Sequence, residues 1–200
     1  MTLADTFSTI YRNNVWGHGS GVGSLPEGTV DYRRVLEGLI RSKDIKTVLD
    51  YGCGDWQFSR LVDWNNLVTK YTGVDVVDFL VDDHKKNFSS NVVGFDLRDD
   101  HWCFFDVDLI ICKDVFQHLP NSIVSSVLGE MLQHSRYILL TNDVQGPSND
   151  KSPNCDCAIG DWRPLDFSLP PWELKNEKLL EWSDSAAAKK HTILVRGDLP

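Results

Sequence analysis

No stretch of the chain approaches the ~20 consecutive apolar residues that a membrane-spanning helix needs, so no membrane partner is expected. Residues 1–10 lack the basic start and apolar centre of a secretory signal, and a soluble, cytoplasmic protein is expected. Positive charge is also scarce. Against 29 Asp and Glu stand 20 Lys and Arg, a formal net charge of -9, whereas gripping a duplex by phosphate neutralisation needs a concentrated cationic face. The basic pairs Arg33-Arg34, Lys85-Lys86 and Lys189-Lys190 are brief and far apart, and they read as solvated surface rather than as a nucleic-acid contact. The five cysteines form no framework. Cys53, Cys103 and Cys112 lie in or beside apolar, strand-like segments, where reduced thiols are commonly buried. Cys155 and Cys157 have no partner pair at zinc-site spacing, and no metal is expected. Repeats and low-complexity tracts are absent.

What is present is an alternation. With 200 residues, 42% of them apolar, the chain suffices for one well-packed core. Val35, Leu36, Leu39 and Ile40 give residues 31–42 a helical period, and a first strand follows at 47–49. A helix is predicted at 57–62, a strand at 71–76, a helix over about 79–87 and a short third strand at 91–95. The fourth strand, 107–112, is a nearly unbroken apolar run, as in strands of a parallel sheet buried on both faces. Ile123, Val124, Val127, Leu128, Met131 and Leu132 mark one face of a helix capped by Asn121 or Ser122, and 137–141 is a fifth strand. Residues 143–171 are rich in Gly, Pro, Asn, Ser and Asp and read as a long loop. Segments 178–182 and 191–195 are predicted to pair as a hairpin across the polar connection between them.

This order predicts an α/β fold: a doubly wound, mostly parallel, seven-stranded sheet with an antiparallel C-terminal hairpin and helices on both faces. Residues 1–30 would form an arm or lid, and 31–200 a single domain. Ligands of such sheets bind beyond the carboxyl ends of the strands, which here carry Asp50, Asp75, Asp96, Lys113-Asp114 and Asn142-Asp143.

The first of these ends is the most specific. Thr47 to Asp50 runs straight into Tyr51-Gly52-Cys53-Gly54-Asp55-Trp56, and glycines at such a turn let a ligand approach the backbone. A nicotinamide-binding motif would need a third glycine where Gln57 stands, which argues against that cofactor. Val48 to Gly54, then Gly73-Val74-Asp75, then Asp108 to Leu119 resemble, in order and spacing, the motif set of class I S-adenosylmethionine-dependent methyltransferases.

The resemblance implies S-adenosylmethionine as methyl donor and S-adenosylhomocysteine as product. Asp50 would lie near the methionine portion, Gly52 and Gly54 against the cofactor backbone, Asp75 on the ribose hydroxyls and Asp96, with Asp99 as rival, on the adenine amine. By position Cys53, Val76 and Lys113 join the same pocket. Trp56 stands where many members have glycine, and it either walls the cofactor or packs on the sheet. Asp114 and His118 would face the transferred methyl as candidate catalytic groups, although His118 would instead donate to a backbone carbonyl if its role is structural.

The acceptor pocket is expected from two outlying segments and the fifth strand end. The glycine-dense stretch 15–24, with Trp16 and Ser20, folds over the site or remains a loose arm; it is no Walker loop, since no Gly-Lys-Ser/Thr follows. Arg163 either binds an acceptor anion or pairs with Asp161 or Asp166, and Asn142 ends the fifth strand. A small-molecule acceptor methylated on oxygen or nitrogen is the reading, against a protein side chain or a catalytically silent cofactor-binding partner.

Overall fold

The computed structural model describes residues 2–146, 151–183 and 188–200. The chain opens with a helix, α1 (Leu3–Arg12), where only an arm was expected. Its start is a reciprocal cap, in which the Asp5 amide donates to Thr2 Oγ1 at 3.1 Å and the Thr2 amide donates to Asp5 Oδ2 at 3.0 Å. α2 (Val30–Ser42) then leads into β1 (Thr47–Tyr51), β2 (Lys70–Asp75), β3 (Val93–Leu97), β4 (Val107–Lys113) and β5 (Ser135–Gln145). α3 (Trp64–Leu67) is one turn, while α4 (Asp78–Asn87) and α5 (Asn121–Gln133) are the crossover helices after β2 and β4.

The strands order as β3-β2-β1-β4-β5-β7-β6. The first five are parallel; β7 (Lys189–Arg196) runs antiparallel to β5, and β6 (Asn176–Ser183) antiparallel to β7. The expected sheet and hairpin are therefore both present, although the tip of the hairpin lies partly outside the described residues. β4 is the central strand: Leu109 to Cys112 are fully buried, and alternate residues feed the cores on the two faces. Among the described residues no helix is long and apolar enough to cross a membrane.

Three local expectations are corrected. The helix at 57–62 shrinks to a 3₁₀ turn, Ser59–Leu61, because the Ser59 hydroxyl is tied to Asp50 at 3.1 Å and its carbonyl accepts from the Trp64 indole at 2.8 Å. α5 is capped by neither Asn121 nor Ser122; it starts at Asn121 behind Pro120, and the Asn121 side chain serves Arg163 and Asn154 instead. Cys103 is exposed rather than buried, since its segment forms no strand.

Candidate active site

The carboxyl ends of β1, β2, β4 and β5 open into a cavity of about 380 Å³. Its roof is the N-terminal segment: Leu3, Phe7 and Tyr11 from α1, then Trp16, Ser20 and Val22. The glycine-dense stretch is thus ordered over the sheet. Ser20 holds it there, accepting from the Asp55 amide at 3.1 Å while its own amide donates to Asp55 Oδ2 at 3.0 Å and its hydroxyl lies 2.7 Å from Tyr11 Oη.

Gly52 and Gly54 form one rim at φ 75° and 54°, where an L side chain is strained. A Cβ would also collide: at Gly52 it would lie 2.4 Å from a Val115 methyl, and at Gly54 2.4 Å from Ser20 Oγ. The turn does not aim its amides at the cavity. Those of Gly52 and Cys53 donate to the Val74 carbonyl at 2.8 and 3.1 Å, and that of Gly54 to Asp75 Oδ2 at 2.9 Å. Asp75 Oδ1 accepts from the Val77 amide at 3.0 Å, so each oxygen retains acceptor capacity on the cavity wall. Burial raises this carboxyl above its ordinary range, with the backbone amides opposing. Cys53 and Val76 line the same rim.

Five of the residues expected at the site do not line the cavity. Asp50 lies beneath the glycine turn, accepting from Tyr71 Oη at 2.6 Å and from Ser59, and burial pushes it up to about 6. Trp56 packs on the far side against Phe88 and Phe95, its indole donating to Tyr71 Oη at 2.8 Å. Its φ of 59° explains why glycine suits this position. Asp96 is exposed on β3, and Asn142 is buried within β5. Arg163, fully buried, pairs with no acid among the described residues; it donates to the carbonyls of Phe116 and Leu119 at 2.9 and 2.8 Å and to Asn121 Oδ1 at 2.6 Å. It braces the turn that carries His118.

The opposite rim is a chain of alternating charge. Lys113 Nζ donates to Asp114 Oδ2 at 2.5 Å and to the Gly23 carbonyl at 2.7 Å, Lys190 Nζ donates to Asp114 Oδ1 at 2.9 Å, and Lys190 also pairs closely with Asp143 Oδ1. Asp143 Oδ2 further accepts from the Trp162 indole at 2.8 Å and the Gln117 amide at 3.2 Å. Burial alone would raise Asp114, but Lys113 and Lys190 outweigh it and bring the carboxyl down to about 2. Asp114 is thus held as a carboxylate between the two ammonium groups. Its φ of 57° turns β4 sharply toward the cavity.

His118 lines the cavity 4.8 Å from the Trp16 ring. Its Nδ1 lies 2.9 Å from the Asp161 carbonyl, which only accepts, so Nδ1 carries the hydrogen and Nε2 keeps a lone pair. Nε2 makes no hydrogen bond among the described residues. Burial lowers the imidazole to about 4, against the Asp161 carbonyl, and it is neutral at pH 7.

Lys190 is the main residue absent from the sequence reading, which placed it on the surface; it is 2% exposed. Its signal is the register that sets it opposite Asp143 across β5 and β7. Tyr11 and Trp162 come from segments with no motif, and only the folded chain brings them here; Gln117 lies within the Asp108 to Leu119 motif, but its contact with Asp143 appears only in the fold. Among the described residues no group of three His, Cys, Asp or Glu side chains is placed to hold a metal ion.

Neither a protein-family model nor a curated protein sequence matches the chain. Solved structures do. Magnesium protoporphyrin IX methyltransferase ChlM from Synechocystis PCC 6803 with S-adenosylhomocysteine bound superposes with a TM-score of 0.66 at 14% identity, covering 98% of each chain. N-methyltransferase NodS from Bradyrhizobium japonicum WM9, also with S-adenosylhomocysteine, gives 0.65 at 12% identity over 97% of this chain and 99% of that one. The N-terminal domain of EvdMO1 with S-adenosylhomocysteine bound gives 0.60 at 16% identity over 84% and 80%. The chain has the class I methyltransferase fold.

Proposed function

We propose that this protein is an S-adenosylmethionine-dependent methyltransferase that modifies an oxygen or nitrogen of a small molecule in the cytoplasm, residues 1–30 serving as the lid. The observation that carries this reading is Asp75, pinned by the Gly54 and Val77 amides so that its carboxylate meets the cavity beside two glycines in left-handed conformation. Two acceptor oxygens on a rigid strand end suit a ribose diol. Gly52, Cys53, Gly54 and Val76 complete that wall, and the fold is shared with methyltransferases whose structures hold S-adenosylhomocysteine.

The bound donor supplies an electrophilic methyl on a sulfonium. The residues of this chain orient the acceptor, exclude water beneath Phe7, Tyr11 and Trp16, and take up a proton at His118 Nε2. Lys113 and Asp114 belong to the internal charge chain, and their part is to keep this rim in place.

Calorimetry with S-adenosylmethionine tests the reading. Asp75→Ala is expected to weaken binding at least tenfold, about 1.4 kcal/mol; unchanged affinity would remove the ribose assignment.

A further inference from the structure

The acceptor end of the cavity has a definite chemistry. Four of its charged groups, two lysines and two aspartates, neutralise one another within hydrogen-bond distance, and the Gln117 amide and Trp162 indole are both tied to Asp143. Among the described residues, an acceptor phosphate, carboxylate or ammonium finds no uncompensated counter-charge there. A polyol would have to break these bonds to make its own, at a desolvation cost for each buried group. The remaining cation among the described lining residues, Arg98, lies on the other side, over the Tyr51 ring at 5.4 Å, with its amide on the Asp75 carbonyl.

Apart from the Ser24 hydroxyl, what is left exposed at this end among the described residues is apolar and flat. Trp16 stands edge-on to Tyr11 at 5.6 Å and tilted against Phe7 at 6.0 Å, and Leu3, Leu119 and Trp162 complete the wall. One ring, His118, carries an uncommitted acceptor atom, Nε2.

We infer that the acceptor is a flat, uncharged, apolar molecule bearing a phenol-type hydroxyl, seated between Trp16 and Trp162 with its O–H directed to His118 Nε2. The inference rests on the methyltransferase reading above. In the step, the acceptor oxygen forms its bond to the methyl carbon as the carbon–sulfur bond breaks with its electron pair going to sulfur, and the hydroxyl proton passes to His118. A phenol hydroxyl, ordinarily about 10, is far more acidic than that of an aliphatic alcohol, and it becomes more acidic still as its oxygen bonds to the methyl, so a neutral imidazole suffices to take its proton.

The test incubates the full chain with methyl-labelled S-adenosylmethionine and three acceptor sets: phenol, 2-naphthol and 9-phenanthrol; glucose and its 6-phosphate; benzoate and benzylamine. Label is expected in the hydroxyarenes, with kcat/KM rising with ring number. Label confined to the other sets, or to none while calorimetry shows the donor bound, overturns the inference. Failure to bind the donor is read separately, and it overturns the methyltransferase reading on which the inference depends. His118→Gln should lower kcat about 100-fold with acceptor KM and donor affinity within threefold, and an unchanged kcat would refute the proton transfer. Trp16→Leu should raise acceptor KM about tenfold at constant donor affinity, and an unmoved KM would refute the seat.

Discussion

Along the rim formed by residues 51–54 and 75, polar contacts run between backbone amides, one carbonyl and one carboxylate, whereas across the cavity Lys113, Asp114, Asp143 and Lys190 hold one another through their side chains. The first rim joins two consecutive strand ends, and its shape follows from left-handed glycines. The second gathers residues from β4, the turn directly after it, β5 and β7. A backbone rim tolerates change in its neighbours. A charge rim does not, because each member is buried against another member's charge.

The largest expected effect falls on the charge rim. Lys190→Met leaves Asp143 and Asp114 short of a buried counter-ion, and a loss of about 3–5 kcal/mol of stability is expected in urea unfolding. A change under 1 kcal/mol would show that the rim is not held by charge. Of similar size, but without consequence for the cavity, is Trp56→Ala: deleting a 5% exposed indole behind the backbone rim should cost about 3–5 kcal/mol, with the strain of the positive φ retained because alanine keeps its Cβ. Donor affinity of the folded variant should stay within threefold in calorimetry.

Asp50→Asn sharpens the comparison between Asp75 on the first rim and the acid buried beneath it. The raised carboxyl binds its proton more tightly folded than unfolded, so its contribution is full below about pH 4 and is lost as pH rises to about 6. Asparagine removes that slope, and the variant should gain on the wild type by about 3 kcal/mol between pH 4 and 7 in denaturation curves. The smallest effect concerns pH and rate. His118 resists protonation when folded, so its contribution to stability is present above pH 6.5 and lost as pH falls toward 4. Turnover should accordingly vary less than twofold between pH 6 and 8, and a drop centred at 6.5 in the pH profile would show an ordinary, solvated imidazole.

Legibility followed the range of the interactions. The strand runs, the glycine turn and Asp75 are local patterns, and the structure places them where the periods and motif order said. The 57–62 helix failed because its groups are claimed by Asp50 and Trp64, partners that no helical period reveals. Trp56 and Arg163 look alike in sequence terms, each a large polar-tipped side chain near a motif, yet Trp56 packs behind the sheet and Arg163 satisfies carbonyls beneath the cavity. Lys189 and Lys190 are neighbours of one type on opposite faces of β7: one remains partly exposed beside Glu181, the other enters the cavity wall.

The sequence by itself determined the parallel sheet, the antiparallel hairpin and the glycine-and-acid rim, since each depends on side-chain period or backbone freedom within a few residues. Only the tertiary structure decided which acids reach the cavity, that Asp114 is neutralised by Lys113 and Lys190, and that α1 and Trp16 close over His118. Those outcomes depend on strand register and on segments brought together from the two ends of the chain, where the energies of charge burial and packing arise from residues that are distant in sequence.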